Sequence, residues 1–348
     1  MRRYVAGLRQ GSSSTAQALA LALAVSWVST EALAERGYSD WGPAVNLAMD
    51  RQGILHCGVT EINSAADDTG PGISHDGLSL YFGSARGGAG LDIWIAQRES
   101  RHAPWLTPVN LGTTVNSTGT DNVVSFSRDG HWMFFNSNRP GSTLDVLGNP
   151  SVDIWASYRH NVHDDFAWET PFNLGPGVNG PGFDGGVTYI ESAGHGAPLI
   201  LFGSGPTLAT TDIWVAELQR DGTFGAKRKV AGLNSPDPAV AEQRPSIRSD
   251  GLEIFYSSNG TTQGSQGGQD IWVAKRTNVY AEWDVTPLGP VVNTAASEMS
   301  PYLSADGLTL YFTSNRPGGC GGYDLYMTTR ARLKDKELDE GRDHELQD

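Results

Sequence analysis

Basic residues are scarce: 25 Lys and Arg stand against 39 Asp and Glu in 348 residues, a formal charge of −14. A surface of that sign repels a phosphate backbone and speaks against nucleic-acid binding. Away from the extreme N-terminus the chain has no long apolar run, so no transmembrane span is expected there. The common catalytic signatures are also missing. Neither a Gly-x-Ser-x-Gly elbow nor a His-Glu-x-x-His pair occurs. No Gly-Lys-Ser/Thr follows the Gly-rich loops, which therefore are not phosphate cradles. Cysteine is down to two residues, Cys57 and Cys320. What is abundant is Gly, at 43, together with 18 Pro and only 18% charged residues. That composition describes a loop-rich globular protein.

The N-terminal run has the layout of a secretory signal over residues 1–34. Arg2, Arg3 and Arg9 give the positive region, Ala16 to Val28 the apolar region, and Ala32-Leu33-Ala34 a small-residue cleavage site. Cleavage would remove three Arg and one Glu, taking the balance from −14 to −16. Export to the periplasm or the medium implies an oxidising compartment, where two cysteines are expected to pair. Residues 35–330 form the expected folded body. Residues 331–348 are charged, lack an apolar period and are expected to be a flexible tail.

The body is repetitive. Asp-Ile-Trp begins at Asp92, Asp153, Asp212 and Asp270, and Asp-Leu-Tyr at Asp324, with spacings of 61, 59, 58 and 54. An aromatic, branched run precedes each: LSLYFGS from Leu78, HWMFFNS from His131, PLILFGS from Pro198, LEIFYSS from Leu252 and LTLYFTS from Leu308. Runs of this kind are strands buried on both faces. Asp-Gly turns stand before four of them, ending at Gly77, Gly130, Gly251 and Gly307, where Gly takes up positive φ without strain. A third element follows each Asp-Ile-Trp, around Trp105, Trp168, Phe224 and Trp283; its fifth copy is displaced to WGPAVNL at Trp41, ahead of the first repeat. Circular closure brings the copies into register: the N-terminal strand completes the last sheet and removes both free edges. The expected fold is all-β, a five-bladed β-propeller closed by its N-terminal strand. SHDGLSLYFGS, SRDGHWMFFNS and SADGLTLYFTS, each followed by DIW or DLY, resemble the TolB-like, WD-repeat-like propellers of bacterial envelope proteins. That resemblance implies an envelope module that binds a partner and needs no cofactor.

Blade connections and the loops between second and third strands should share one face. On it, an acid recurs six residues before the same inner-strand position in every blade: Asp68, Asp121, Asp184, Glu242 and Glu298. These are the candidate channel-rim binding residues. Two such charges about 8 Å apart repel by about 2 kcal/mol at an effective dielectric of 20, so relief is required. Backbone donors, nearby Arg86, Arg139, Arg244 and Arg316, a polyhydroxylated ligand or Ca²⁺ could supply it, although no loop has EF-hand spacing. Fivefold repetition favours an architectural role for the acids. The aspartates that open the third strands, from Asp92 to Asp324, are expected to cap Gly-rich loops. Cys57 and Cys320 fall at the closure point on this same face, and a disulfide there would stabilise by about 5 kcal/mol. His160, His163, Asp164 and Asp165 lie in a turn on the opposite face with no second pair to complete a metal site.

The leading expectation is a non-catalytic, exported module that binds protein or glycan across the loop face. The alternative is a carbohydrate-active enzyme, because five-bladed glycosidases place carboxylates at the channel mouth as acid and as base or nucleophile. Such acids have unlike environments, whereas these five look equivalent by sequence.

Overall fold

The computed structural model describes residues 37–88, 90–191, 196–261 and 264–333. The expected signal segment and nearly all of the charged tail lie outside them. Residues Tyr38–Arg332 form one compact unit of five four-stranded antiparallel sheets. Blade one contains β2 (Asp68–Ile73), β3 (Ser79–Ser84), β4 (Asp92–Gln97) and β5 (Val109–Asn110). Blade two contains β6 (Asp121–Phe126), β7 (Trp132–Ser137), β8 (Asp153–Tyr158) and β9 (Phe172–Asn173). Blade three contains β10 (Phe183–Ile190), β11 (Leu199–Gly205), β12 (Asp212–Glu217) and β13 (Arg228–Lys229). Blade four contains β14 (Glu242–Ile247), β15 (Glu253–Ser258), β16 (Asp270–Lys275) and β17 (Asp284–Pro287).

Blade five is built from both ends of the body. Its strands β18 (Glu298–Leu303), β19 (Thr309–Ser314) and β20 (Asp324–Thr329) are joined on the outside by β1 (Val45–Asn46). Val45 pairs with Met327 and Asn46 with Tyr326, which is the closure expected from the displaced fifth repeat. Trp41 packs edge-on to Phe255 at 5.8 Å and so ties the closing segment to blade four.

The aromatic strands form the second position of each blade because their side chains must be buried on both faces. Phe82, Phe135, Phe202, Phe255 and Phe312 are fully buried. They fall in four of five apolar clusters, each cluster shared between neighbouring blades; the one at the seam joins Ile73, Leu80 and Phe82 of blade one to Tyr311 and Leu325 of blade five. Full burial of one such ring is worth about 1.5–3 kcal/mol. Polar clamps repeat beside them. Asn63, Asn116, Asn179, Asn234 and Asn293 each exchange two hydrogen bonds with the backbone of Leu325, Ile93, Ile154, Ile213 and Ile271 of the preceding blade.

Every inner strand carries a bulge, after Thr69, Asn122, Gly185, Gln243 and Met299. The bulged residues Gly70, Val123, Gly186, Arg244 and Ser300 have φ between 52° and 66°. This left-handed conformation is unfavourable for Val123 in particular, and the five repeats hold it in place. At the axis Val123, Gly186, Arg244 and Ser300 line a narrow waist with a space of only about 10 Å³.

Candidate functional site

The five acids all sit at the loop-face end of the inner strands, and all are buried, at 0–3% exposure. None lines the waist or the cavity of about 290 Å³ at the opposite end of the axis. Instead each turns back into its own blade and accepts hydrogen bonds from the loop four to seven residues upstream. Ser64 and Ser117 donate N–H and O–H to Asp68 and Asp121, Gly180 its N–H to Asp184, and Thr294 both groups to Glu298.

Four of the acids also hold a cation. Arg86 reaches Asp68 at 2.8 Å, Arg139 reaches Asp121 at 2.6 Å, and Arg316 reaches Glu298 at 3.1 Å. Blade three has Pro206 at the matching loop position, and Lys227 from beside the outer strand reaches Asp184 at 2.5 Å instead. Each cation lies over two rings, one from the second strand and one from the third. The pairs are Phe82 and Trp94, Phe135 and Trp155, Phe202 and Trp214, and Phe312 and Tyr326, at 4.7–5.8 Å. A buried carboxylate with a directional partner and loop donors is a structural tie.

Blade four departs from this arrangement. Glu242 accepts the Ser235 N–H at 3.1 Å through Oε1, while its buried Oε2 has no partner among the described residues. Burial pushes its carboxyl up to about 7, and the charge of Asp212 adds to the rise. Gly260 stands where the other loops carry Arg86, Arg139 and Arg316. Beside it lies a cavity of about 340 Å³ lined by Glu242, Tyr256, Ser258, Gly260 and Trp272, with exposed Gly232, Asp237 and Thr261 among its lining. Arg244, expected by sequence to relieve the acids, points into the channel instead, donating to Ser300 Oγ at 2.6 Å. Burial lowers its value to about 10. Fivefold symmetry in the acids hid this asymmetry from the sequence reading. The signal was the alignment of Asn138-Arg139 and Asn315-Arg316 with Asn259-Gly260.

Three of the five aspartates that open the third strands serve as local caps, whereas Asp92 accepts from the Asn110 side chain at 2.9 Å and Asp212 pairs with Lys229 at 2.6 Å. Asp153 accepts from the Thr143 N–H and O–H, Asp270 from the Gln266 N–H, and Asp324 from the Gly321 and Cys320 N–H groups. Burial raises all three carboxyls. Cys57 and Cys320 are joined as a disulfide at the seam. Among the described residues no cluster of three His, Cys, Asp or Glu could hold a metal ion. Asp165 is a structural anchor: it accepts from Ser79, Tyr81, Gln97 and Arg159, linking blade two to blade one. Burial opposes its ionisation, but those donors outweigh it and hold the carboxyl below its usual value.

No family model and no curated protein sequence matches the chain. Solved structures do. The α-L-arabinofuranosidase of Lactobacillus brevis aligns at TM-score 0.53 and 12% identity, over 78% of this chain and 92% of that one. The GH43 endo-arabinanase of Bacillus licheniformis aligns at 0.51 and 14%, over 77% and 95%. TolB of Acinetobacter baumannii matches at 0.45, too loosely to carry the family resemblance. At these identities the likeness establishes the five-bladed fold.

Proposed function

We propose that the protein is an exported propeller that binds a glycan on its loop face without hydrolysing it. The observation that carries this reading is the neutralisation of Asp68, Asp121, Asp184 and Glu298 inside their own blades. Glycoside hydrolysis needs two carboxyl groups facing one substrate, about 5–9.5 Å apart, with one protonated. Four tied acids supply neither member of such a pair. The blade loops differ in length and sequence, and that of blade two projects Val146 and Leu147, 96% and 82% exposed, as a contact surface. Carbohydrate is favoured over protein as the ligand class because similar propellers are named for acting on arabinans and arabinosides. The Cys57–Cys320 disulfide supports an oxidising compartment.

A second reading, hydrolysis, rests on Glu242. Its carboxyl, raised to about 7, suits a general acid, and Asp237 lines the same cavity as a potential second carboxylate. One experiment separates the two. The purified chain is screened on a glycan array and against chromogenic glycosides. Retention of a glycan without release of chromophore is the expected result. Turnover abolished by Glu242→Gln would overturn the binding-only reading in favour of the second.

A further inference from the structure

Four blades build the same seat for a cation. In three of them the seat is made for guanidinium. Arg Nε donates to a serine hydroxyl, Ser84 at 2.8 Å, Ser137 at 2.9 Å and Ser314 at 3.1 Å. Nη2 donates to a loop carbonyl, of Ile62, Val115 or Val292, and to the blade's own carboxylate. The two rings described above close the sides.

Blade four keeps each of these elements except the arginine. Ser258 stands at the serine position, Leu233 at the carbonyl position, Glu242 at the carboxylate position, and Tyr256 and Trp272 at the ring positions; all five line the cavity. The turn itself is unchanged: the Gly260 N–H donates to Ser258 Oγ at 3.0 Å, as the Arg139 N–H does to Ser137 at 3.1 Å. At about 340 Å³ the cavity is at the small end of ligand sites, which span about 300–1,000 Å³. Lys229, whose charge is felt at Glu242, is held on Asp212 at 2.6 Å.

We propose that the blade-four cavity binds a guanidinium group carried by a ligand, which enters between Tyr256 and Trp272 and pairs with Glu242. Such a guest supplies in trans what Arg86, Arg139 and Arg316 supply in cis. A carboxylate buried to 97% with an unpaired oxygen needs a charged donor more than it needs a sugar hydroxyl. Flanking aromatic faces favour a planar cation. Two sources share this chemistry: an arginine side chain of a protein partner, or a small free guanidino compound.

The test is calorimetric titration of the full chain at pH 8 with ethylguanidinium, with its neutral counterpart ethylurea, and with N-acetylarginine methylamide. Ethylguanidinium should bind at least about tenfold more tightly than ethylurea. Glu242→Gln should weaken it by about tenfold or more. Gly260→Arg should abolish it by filling the seat from within, and should raise the melting temperature by about 2–4 °C or more. The fit is tight but local: a Cβ at Gly260 would lie 3.3 Å from Ser258 Oγ, 3.4 Å from Val240 and 3.6 Å from Trp272, so the Ser258 and Val240 side chains must give by a few tenths of an ångström. Stronger binding of the acetylated arginine would point to a peptide source, and stronger binding of ethylguanidinium to a small solute. No binding, equal binding of ethylurea, or unchanged binding by folded Gly260→Arg or Glu242→Gln would overturn the proposal. Because the readout is binding of a defined cation, its outcome is independent of any glycan.

Discussion

Blades two and four share the lengths of their first three strands and the same bulge, yet the same burial has opposite consequences in them. In blade two, Asp121 meets Arg139 at 2.6 Å, and the guanidinium lies 4.9 Å from Phe135 and 5.1 Å from Trp155. In blade four the carboxylate is one methylene longer, the arginine is Gly260, and Tyr256 replaces the phenylalanine. One buried acid is thus a tie and the other an unpaired acceptor beside a cavity. Repetition alone preserves a wheel. Departure from it at two matched positions in a single blade, Gly260 and Tyr256, marks where the molecule can do something besides hold together.

Exchanging the two arrangements tests this contrast most severely. Arg139→Gly would give blade two the blade-four pattern and leave Asp121 buried without its cation, a loss of about 3–5 kcal/mol by urea denaturation. A loss under about 1 kcal/mol would show that the ion pair is not what holds that blade. Next in size is the seam. Replacing both Cys57 and Cys320 by serine should lower stability by about 2–5 kcal/mol, read as a fall in melting temperature. Joined peptides should also appear in a digest made without reductant.

A third effect depends on pH. Glu242 binds its proton more tightly folded, at about 7, than unfolded, at 4.5. Stability from this group is therefore full below pH 4.5, falls as pH rises toward 7, and is flat above it. Glu242→Gln should remove that fall, its advantage growing to about 2–3 kcal/mol at pH 8. Parallel pH profiles for the two proteins would show that Glu242 is paired in solution. Smallest is the exposed Arg101–Asp306 pair between blades one and five, at 2.9 Å. Arg101→Ala should cost less than about 1 kcal/mol; a larger loss would blur the line drawn here between buried and surface pairs.

The architecture was legible because it is carried by repetition of residue types. Asp-Ile-Trp, the aromatic runs and the stray WGPAVNL copy sufficed for blade number, strand order and closure, and the placement of two cysteines at the seam, with export expected, sufficed for the disulfide. The inner-strand bulges were not legible. Gly, Val, Gly, Arg and Ser occupy the same left-handed position, so tertiary restraint there overrides local preference and leaves no residue signature. The pairing of the rim acids was only partly legible. Arg86, Arg139 and Arg316 were in view, but Lys227 comes from a different segment, just ahead of the outer strand, and Arg244 is turned into the channel by its bulge. Spacing along the chain cannot say which way a bulged side chain points.

The seam also imposes an order of events. Val45 and Asn46 find their strand partners in Met327 and Tyr326, 282 and 280 positions later in the polypeptide. At about 5–20 residues per second, a ribosome needs roughly 15–60 s to deliver that stretch. Throughout that interval the closing strand lacks its sheet partner, so the ring cannot shut until blade five has been made.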